Sequence, residues 1–324
     1  MQLLICGGAG YIGCHMAHWL ATHGHEVVVL DNLSTGHRQA VRWSELFEAD
    51  LLDPQGLDRV LSEYRFDAVM HFCASSLVGE SVREPYAYYR NNVAGTLNLL
   101  DAMRRHGVDR LVFSSTAAVF GNPITELIDE NHPKAPINPY GASKLMVERI
   151  LEDAANAYGL RSVALRYFNA AGALPEHGIG EAHACETHLI PNVLKAALGS
   201  GPALKVFGDD YPTPDGTCVR DYVHVQDLAQ AHALALDYME SHPGAHAFNL
   251  GNGQGFSVRE VIAAATEVTG SPIPYETAPR RPGDPAVLVA SSERARLELG
   301  WKPVWTDLRD IIRSAWEWHR AQAF

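Results

Sequence analysis

Residues 3–13, Leu-Leu-Ile-Cys-Gly-Gly-Ala-Gly-Tyr-Ile-Gly, decide the fold. The apolar residues 3–6 predict a buried strand, and residues 11–23 predict a helix. The spacing G-x-x-G-x-x-G between them is formed by Gly7, Gly10 and Gly13. A glycine-rich turn of this kind lets backbone N–H groups and a helix N-terminus approach a diphosphate. We predict a dinucleotide site here, with a plain tight turn as the alternative.

An acidic residue follows the second predicted strand, residues 27–30. Asp31 lies where a carboxylate can bind the adenosine ribose hydroxyls, and it would repel a 2′-phosphate. The next residue, Asn32, supplies no cation, so the pattern favours NAD over NADP. After a weaker third strand, Asp50 and Leu51 are expected to flank the adenine, although a helix-cap region that includes Asp53 is an equal alternative for Asp50.

Strand and helix patterns alternate through the first half of the chain. Strands are predicted at 3–6, 27–30, 46–49, 68–72, 111–114 and 162–167, and helices at 11–23, 54–64, 91–106 and 139–158. This alternation predicts an α/β fold with a doubly wound, Rossmann-like parallel sheet. Residues 1–169 are the predicted NAD-binding domain, and 170–324 are mainly a smaller substrate-binding cap, from which segments near 225–252 return to the sheet. In the cap we predict helices at 189–198, 225–239, 258–269 and 308–319, and a strand at 247–250.

Composition excludes several classes of protein. There are 26 Lys plus Arg against 38 Asp plus Glu, a net charge of -12, so nucleic acid is not an expected partner. No apolar run is long enough to span a membrane. The five cysteines are scattered, the histidines show no familiar metal-ligand spacing, and the apolar N-terminus lacks a basic start. We therefore expect a cytoplasmic protein with reduced thiols and no bound metal.

A candidate catalytic group lies on the predicted helix 139–158. Tyr140 and Lys144 are four residues apart, on one helix face, where an ammonium is expected to lower the pKa of the phenol and make it a usable base. Alone, this pair is more often a solvated helix face. It follows Ser114 and Thr116, however, which end a strand at the edge where such sheets bind ligands. Thr116 is favoured for chemistry, with loop hydrogen bonding as the alternative for Ser114.

Longer strings resemble the extended short-chain dehydrogenase/reductase family. They are His-Phe-Cys-Ala at 71–74, Val-Gly-Glu-Ser-Val at 78–82, Tyr-Tyr-Arg-Asn-Asn-Val at 88–93, Arg-Tyr-Phe-Asn at 166–169 and Arg-Arg-Pro-Gly-Asp at 280–284. The string 207–222, with its Tyr-Pro-Thr-Pro-Asp-Gly-Thr segment, is similar to the UDP-glucose 4-epimerase group within that family. The resemblance covers residues 3 to about 301. It implies NAD as cofactor, a UDP-sugar as substrate and epimerisation at sugar C4 through a 4-keto intermediate.

The resemblance also implies roles for individual residues. Catalytic roles fall on Thr116, Tyr140 and Lys144. Cofactor contacts are expected from Gly7, Gly10, Tyr11, Ile12, Gly13, Asp31, Asn32, Asp50, Leu51, Phe72, Ala74, Asn91, Ser114, Tyr140, Lys144 and Tyr167. Substrate contacts are expected from Thr116, Tyr140, Asn169, His188, Leu189, Arg220, Tyr222, Arg281, Asp284 and Leu288. For Arg220 the alternative is a surface ion pair with Asp221.

The chain departs from the family pattern at two places. Ser75-Ser76-Leu77 stands where some members have a lysine near the cofactor diphosphate, and Glu186-Thr187-His188 replaces an Asn-Asn pair. Ala117-Ala118 follows Thr116, so the Asp-Glu pair of the 4,6-dehydratases is missing. A UDP-xylose, UDP-glucuronate or UDP-N-acetylhexosamine 4-epimerase and a non-catalytic NAD-binding regulator remain alternatives. By analogy with relatives, helices 91–106 and 139–158 are expected to pair in a homodimer.

Overall fold

The computed structural model describes residues 1–281 and 284–324, so Pro282 and Gly283 of the Arg-Arg-Pro-Gly-Asp string lie outside the described residues. Its main sheet has seven strands, and every pairing in it is parallel. From one edge of the sheet to the other, the strands are 45–48, 26–31, 2–6, 68–71, 110–116, 161–167 and 245–250. The order reverses between strands 2–6 and 68–71, which is the crevice where doubly wound sheets bind ligands. The α/β prediction is confirmed.

The strands of the main sheet are β1 (Gln2–Cys6), β2 (Glu26–Asp31), β3 (Glu45–Glu48), β4 (Ala68–His71), β5 (Arg110–Thr116), β6 (Arg161–Tyr167) and β11 (Ala245–Leu250). The short strands are β7 (Asn169–Ala171), β8 (Leu204–Phe207), β9 (Val219–Arg220), β10 (Tyr222–His224), β12 (Phe256–Ser257), β13 (Tyr275–Ala278) and β14 (Val287–Leu288). The helices are α1 (Tyr11–Thr22), α2 (Pro54–Glu63), α3 (Val78–Arg83), α4 (Pro85–Tyr88), α5 (Gly95–Arg105), α6 (Pro139–Tyr158), α7 (Leu189–Ala197), α8 (Val225–Ser241), α9 (Val258–Thr269), α10 (Glu293–Glu298) and α11 (Leu308–Arg320).

Helices cover both faces of the main sheet because its strands alternate apolar side chains to each side. On one face, Ile5 and Val29 pack with α1 and α8 in a buried cluster. On the other face, Leu4 and Val28 pack with α2, α5 and α6. The strands are therefore held from both sides, and their carboxyl ends form one rigid edge.

The C-terminal part of the chain contributes to the main sheet and also has a core of its own. β11 pairs with β6, and α8 packs against α1. A separate cluster of buried side chains joins α7, α9 and α11 to the small sheets. The small sheets pair β10 with β7, β9 with β12 and β14, and β8 with β13.

Predicted and observed elements agree best for the longer segments. Helices α6 and α9 have the predicted bounds, and the seven strands of the main sheet differ from the prediction by a few residues at their ends. The predicted helix 91–106 differs, because residues 89–94 form a π-helical segment between α4 and α5. No helix in the described ranges is both long and apolar enough to cross a bilayer.

Candidate active site and cofactor cradle

The glycine loop joins β1 to α1 at the carboxyl edge of the sheet. Gly7 has φ +84°, and a Cβ on it would lie 2.8 Å from the backbone N of Cys73. A Cβ on Gly13 would lie 2.1 Å from the carbonyl oxygen of Gly7, so only glycine allows α1 to start this close to β1. At Gly10 the N-terminus of α1 has no side-chain cap, and no acidic residue lies in its first turn. Its N–H groups are thus available to an anion.

The two residues that follow this loop differ in their surroundings. Tyr11 donates its hydroxyl to the carbonyl of Gly172 at 2.6 Å, and burial raises the pKa of its phenol. Ile12 is only partly buried, and it belongs to none of the buried apolar clusters of the described chain. An apolar side chain left open beside a helix N-terminus suits contact with a nucleotide ring.

Asp31 ends β2 beside the glycine loop. Its carboxylate accepts the N–H of Ala9 at 2.9 Å and the N–H of Leu33 at 2.8 Å. Burial raises the pKa of Asp31, and these two N–H groups oppose that rise. A carboxylate can accept about four hydrogen bonds, so two acceptor positions remain for ribose hydroxyls.

The predicted adenine contacts adjoin Asp31 across the edge of the sheet. Asn32 donates its amide to the carboxylate of Asp50 at 2.8 Å. The other oxygen of Asp50 accepts the N–H of Leu52, whereas Asp53 alone caps α2 by accepting from Gln55. The cap alternative for Asp50 is therefore wrong. Leu51 is 5% exposed and packs into the core beneath this edge.

The loop after β4 is held by an asparagine that the sequence analysis passed over. Phe72 packs beside His232, and Ala74 lies partly buried in the loop. Asn91 donates to the side chain of Asn92. Asn92 is 2% exposed and hydrogen-bonds both the N–H and the carbonyl of Ser75 and the hydroxyl of Ser143. The side chain of Asn92 therefore connects the loop to α6. In the sequence this residue could have been noticed as the second asparagine of the Tyr-Tyr-Arg-Asn-Asn-Val string.

The candidate catalytic side chains converge where β5 meets the start of α6. Thr116 ends β5, and its Oγ1 accepts the N–H of Ala118 at 3.1 Å. Tyr140 lies in the first turn of α6, whose N-cap Asn138 accepts the N–H of Gly141. Burial raises the pKa of Tyr140, and the neighbouring Thr116 side chain partly opposes this shift.

Lys144 lies one turn along α6, almost fully buried at 2% exposed. Its Nζ donates to the carbonyl oxygen of Ser114 at 2.8 Å. Desolvation lowers the pKa of Lys144 to about 7, although Cys73 and Glu148 act in the other direction. In the ligand-free protein, therefore, Lys144 does not lower the pKa of Tyr140 as expected. Burial raises the pKa of the phenol, and it also lowers the pKa of the lysine, so that less of the charged ammonium form is present.

The side chain of Ser114 has a different partner from its carbonyl. Its hydroxyl hydrogen-bonds the phenol of Tyr167, the last residue of β6. The loop-bonding alternative for Ser114 is therefore replaced by a bond between two neighbouring strands of the sheet. Both residues stand at the edge where Thr116 and the glycine loop also lie.

Two features fix α6 against the sheet and were not found from the sequence. A Cβ on Gly141 would lie 2.3 Å from the carbonyl oxygen of Ala118, so glycine is needed for the close approach. Glu148 and Arg166 form a buried two-pronged ion pair at 2.9 and 2.7 Å, and Glu148 also accepts from Ser115 at 2.6 Å. Because the pair joins α6 to β6 one turn from Lys144, it fixes the depth of that lysine.

The predicted diphosphate residues lie in the C-terminal part. Asn169 donates its amide to the carbonyl of Asp221 at 2.9 Å, which leaves its side-chain oxygen free. Arg220 forms an ion pair with Asp284 and not with Asp221, so the partner named in the ion-pair alternative is wrong. Asp221 is instead fully buried and accepts the N–H groups of three residues, Asn252, Gly253 and Ala290. Arg281 is exposed, with its guanidinium 4.1 Å from the ring centre of Phe207.

The remaining substrate candidates are less accessible. Tyr222 is 5% exposed and packs in the core of the C-terminal part, which leaves little of its surface for a ligand. Leu189 starts α7 and packs against that same core. Leu288 on β14 packs against the cluster of Val119 and Phe120, directly after Thr116 in the chain.

His188 lies in a cluster that the sequence analysis did not anticipate. It precedes α7 and shares two carboxylates, Glu181 and Glu186, with His183. Hydrogen bonds to the carboxylates raise the pKa of His183 to about 9. Burial opposes the same effect at His188, yet the hydrogen bonds raise its pKa to about 10. The signal was present as the spacing E-x-H-x-x-E-x-H.

The cradle fits a dinucleotide in its chemistry. An uncapped helix N-terminus suits a diphosphate, and the partly satisfied carboxylate of Asp31 suits ribose hydroxyls. The two remaining N–H donors of Lys144 suit a second ribose beside Tyr140. These groups lie along one edge of the sheet, at its switch point.

Comparison with known proteins agrees with this geometry. Residues 3–251 match the NAD dependent epimerase/dehydratase family. The chain is 51% identical over 320 residues to a UDP-glucose 4-epimerase of Halalkalibacterium halodurans, which covers 99% of this chain and 96% of that protein. The structure of UDP-glucose 4-epimerase from Brucella ovis in complex with NAD has a TM-score of 0.95 at 50% identity, covering 97% of each chain. That from Bifidobacterium longum in complex with NAD+ and UDP has a TM-score of 0.94 at 40% identity, covering 99% of this chain and 98% of the other. The chain therefore belongs to the NAD dependent epimerase/dehydratase family, and its cofactor is NAD.

Proposed function

We propose that this enzyme interconverts UDP-glucose and UDP-galactose by transient oxidation at C4 of the sugar. The observation that carries the proposal is the convergence of Thr116, Tyr140 and Lys144 beside the glycine loop. The likeness to proteins named UDP-glucose 4-epimerase over nearly the whole chain supports it. NAD, when bound, supplies the oxidant for C4 and then the reductant for the opposite face of the 4-keto sugar.

Proton transfer falls to Tyr140 and Thr116. The phenolic oxygen of Tyr140 takes the proton of the sugar 4-hydroxyl and later returns it. Thr116 accepts the N–H of Ala118, so its own O–H remains able to donate to the sugar 4-oxygen. Because burial raises the pKa of Tyr140 in the ligand-free protein, the phenolate requires positive charge at the site. Lys144, on the same helix face, supplies it when protonated.

The nucleotide end of the substrate is held by cations on the C-terminal part. Arg220 forms an ion pair with Asp284 in the ligand-free protein, and a diphosphate would compete with that carboxylate for the same guanidinium. Arg281 is exposed, lies over the ring of Phe207 at the end of β8, and adds a second guanidinium. With Asn169 these groups anchor the UDP portion, so the sugar can turn over while the substrate stays bound.

A 4,6-dehydratase fits the site less well. Elimination needs an acid and a base after Thr116, but Ala117 and Ala118 occupy those positions in a short 3-10 turn. Epimerases of UDP-xylose, UDP-glucuronate or UDP-N-acetylhexosamines use the same C4 chemistry. Only turnover of each sugar separates them, and a non-catalytic NAD-binding regulator would turn over none.

The test uses the purified holoenzyme with UDP-galactose, UDP-xylose and UDP-glucuronate, without added NAD. We expect conversion of UDP-galactose to UDP-glucose to exceed the other two reactions. In Tyr140→Phe we expect turnover to fall by about 100- to 10,000-fold, the usual contribution of a general base, while NAD stays bound. Tyr275→Phe, at an exposed tyrosine of β13, is the matched control. Near-normal turnover in Tyr140→Phe, or preference for another sugar, would refute the proposal.

We further propose that the enzyme acts in the cytoplasm as a homodimer. The five cysteines are all free thiols, as expected in a reducing compartment. Helices α5 and α6 expose large apolar side chains, including Leu97 and Met146 at 43% and 46% exposed. Apolar surface of this kind on two neighbouring helices supports pairing with a second copy.

A further inference from the structure

The strongest unexplained feature is the cluster of Glu181, His183, Glu186 and His188, called here the His–Glu cluster. It lies between β7 and α7, outside the catalytic group, and it includes His188, which the family resemblance makes a substrate contact. One ligand-type atom from each residue lies within 4.8 Å of the other three. The Nδ1 of each histidine is within 3.4 Å of an oxygen from both carboxylates.

These separations bring four ligand-type atoms close enough to surround one metal ion. Bonds of about 2.0–2.2 Å from zinc to nitrogen and oxygen ligands place neighbouring ligands about 3.4 Å apart. The histidine-to-carboxylate distances are 3.2 and 3.4 Å for His183, and 2.6 and 3.1 Å for His188. The direct contacts of His188 with Glu181 and Glu186 must open for an ion to enter between them.

The charge of the cluster allows one divalent cation in place of two protons. The side chains of Glu181 and Glu186 are 5% and 3% exposed, and neither pairs with a lysine or arginine among the described residues. Buried carboxylates need a compensating positive charge. Within the cluster that charge comes either from two protonated imidazoles or from one divalent ion.

Hydrogen bonds from neighbouring groups already hold the two glutamates of the cluster in place, as the outer hydrogen-bond partners of ligands do in metal sites. Glu186 accepts the N–H groups of Thr187 and His188 at 2.7 and 2.8 Å. The backbone carbonyl of Glu181 accepts the indole N–H of Trp318 at 2.9 Å, which ties the cluster to α11. The ring of His183 faces Tyr11 of the glycine loop.

We propose that the His–Glu cluster binds one divalent transition-metal ion of the zinc class. Two imidazole nitrogens with two carboxylates suit zinc better than magnesium or calcium, which prefer six or more oxygens. All four positions are filled by protein, so the site is structural, with no open position for chemistry. The ion fastens the segment 181–188 to α11 beside the glycine loop.

The test is a titration of the EDTA-treated holoenzyme with Co2+, followed by its visible absorption, and with Zn2+, followed by calorimetry. We expect one tight equivalent per chain and the intense absorption of tetrahedral Co2+. His183→Gln and Glu181→Gln should each weaken Zn2+ binding by more than the roughly 10–100-fold that a change outside the ligand set costs. His242→Gln is the matched control, because it removes a histidine from the separate pair with His246.

Several outcomes would overturn the metal site. They are the lack of a tight equivalent, octahedral Co2+ absorption, unchanged binding in both cluster variants, or equal loss in His242→Gln. Circular dichroism and bound NAD show whether each variant is folded. Should the variants fail to fold, anomalous scattering from Zn2+-soaked wild-type crystals decides, since an ion elsewhere contradicts the proposal. Metal binding is measured without a UDP-sugar, so it stands apart from the proposed reaction.

Discussion

Burial determines the pKa of Lys144, the central residue of the catalytic group. Among the residues that the structure describes, its Nζ makes a single hydrogen bond and contacts no carboxylate directly, and the ring of Phe113 is 4.7 Å away. Taking an ammonium out of water disfavours its charged form, and the pKa falls to about 7. The same burial makes the Tyr140 phenol a weaker acid. The ligand-free site therefore favours the uncharged forms of Lys144 and Tyr140. The charges in the working site are introduced when the ligands bind.

The first prediction concerns the loss of folding stability that is caused by burying Lys144. Unfolded, a lysine with a pKa of about 10.4 keeps its proton up to pH 10, whereas folded Lys144 loses its proton near pH 7. The unfolded state then binds more protons, so stability rises with pH in this window. Between pH 7 and 9 we expect the free energy of unfolding of the cofactor-free wild type to rise by about 2 kcal/mol relative to that of Lys144→Met, as measured by urea unfolding. Lys205→Met, at an exposed lysine of β8, should follow wild type; parallel curves for wild type and Lys144→Met would contradict the shift.

A second residue-scale prediction concerns the width of the sugar pocket. The family resemblance implies that the position of Leu288 lines the sugar pocket, where a bulky tyrosine goes with rejection of N-acetylated sugars and a small residue with their acceptance. Leu288 is intermediate in size between the two. We expect weaker but detectable turnover of UDP-N-acetylgalactosamine. Leu288→Tyr should raise the ratio of kcat/KM for UDP-galactose over that sugar by about 10- to 200-fold, as a steric change of 1–3 kcal/mol implies.

Val287→Tyr is the control for that experiment, because the two residues are neighbours on β14 and both are partly buried. If Val287→Tyr changes the ratio and Leu288→Tyr does not, the pocket is gated by the other face of the strand. An unchanged ratio in both variants would remove β14 from substrate selection.

At the scale of elements, the site depends on how closely α6 approaches the end of β5. Gly141 allows contact with the carbonyl of Ala118, while Glu148 and Arg166 tie the next turns to β6. The bounds of α6 were predicted correctly from its periodicity and the glycine at its end. The depth of the helix was not, because close approach and a buried ion pair depend on residues far apart in sequence.

The third prediction follows from that approach. In Gly141→Ala the new methyl meets a backbone oxygen at 2.3 Å, so the first turn of α6, with Tyr140, must move. Because a misplacement of about 1 Å can cost roughly 100-fold in rate, we expect kcat to fall about 10- to 100-fold while NAD content is kept. Gly79→Ala in α3 is the matched control, since a Cβ there meets nothing within 4 Å. Equal activity of the two variants would show that α6 tolerates the shift.

For the molecule as a whole, periodicity and local spacing predicted the main sheet, the glycine loop, Thr116 and the Tyr140–Lys144 pair. The short strands were not predicted because two to four residues are too few to show a period, and β9 pairs with β14 from more than sixty residues away. Arg220 was expected to contact the UDP-sugar, with a pair to Asp221 as the alternative, and no local pattern indicates its pairing with Asp284, which is 64 residues away. The His–Glu cluster is local and was overlooked only because its spacing resembles no familiar motif.

The last prediction concerns assembly. If α5 and α6 pair between two copies, charges placed on them will separate the copies. By analytical ultracentrifugation we expect a dimer for wild type and a monomer for the double variant Leu97→Glu with Met146→Glu. Leu297→Glu, at a leucine 77% exposed on α10, should remain a dimer. A monomeric wild type, or the same dissociation in Leu297→Glu, would show that the interface is elsewhere.

The late return of β11 to the edge of β6 has a consequence for the protein during its synthesis. Until residues 245–250 leave the ribosome, β6 presents an unpaired edge of backbone N–H and C=O groups. At about 5–20 residues per second, the chain from β6 to β11 takes on the order of 10 s to make. During that interval the nascent polypeptide carries an open strand edge that can pair with other chains. A chaperone that covers this edge would matter most at high expression, when such chains meet most often.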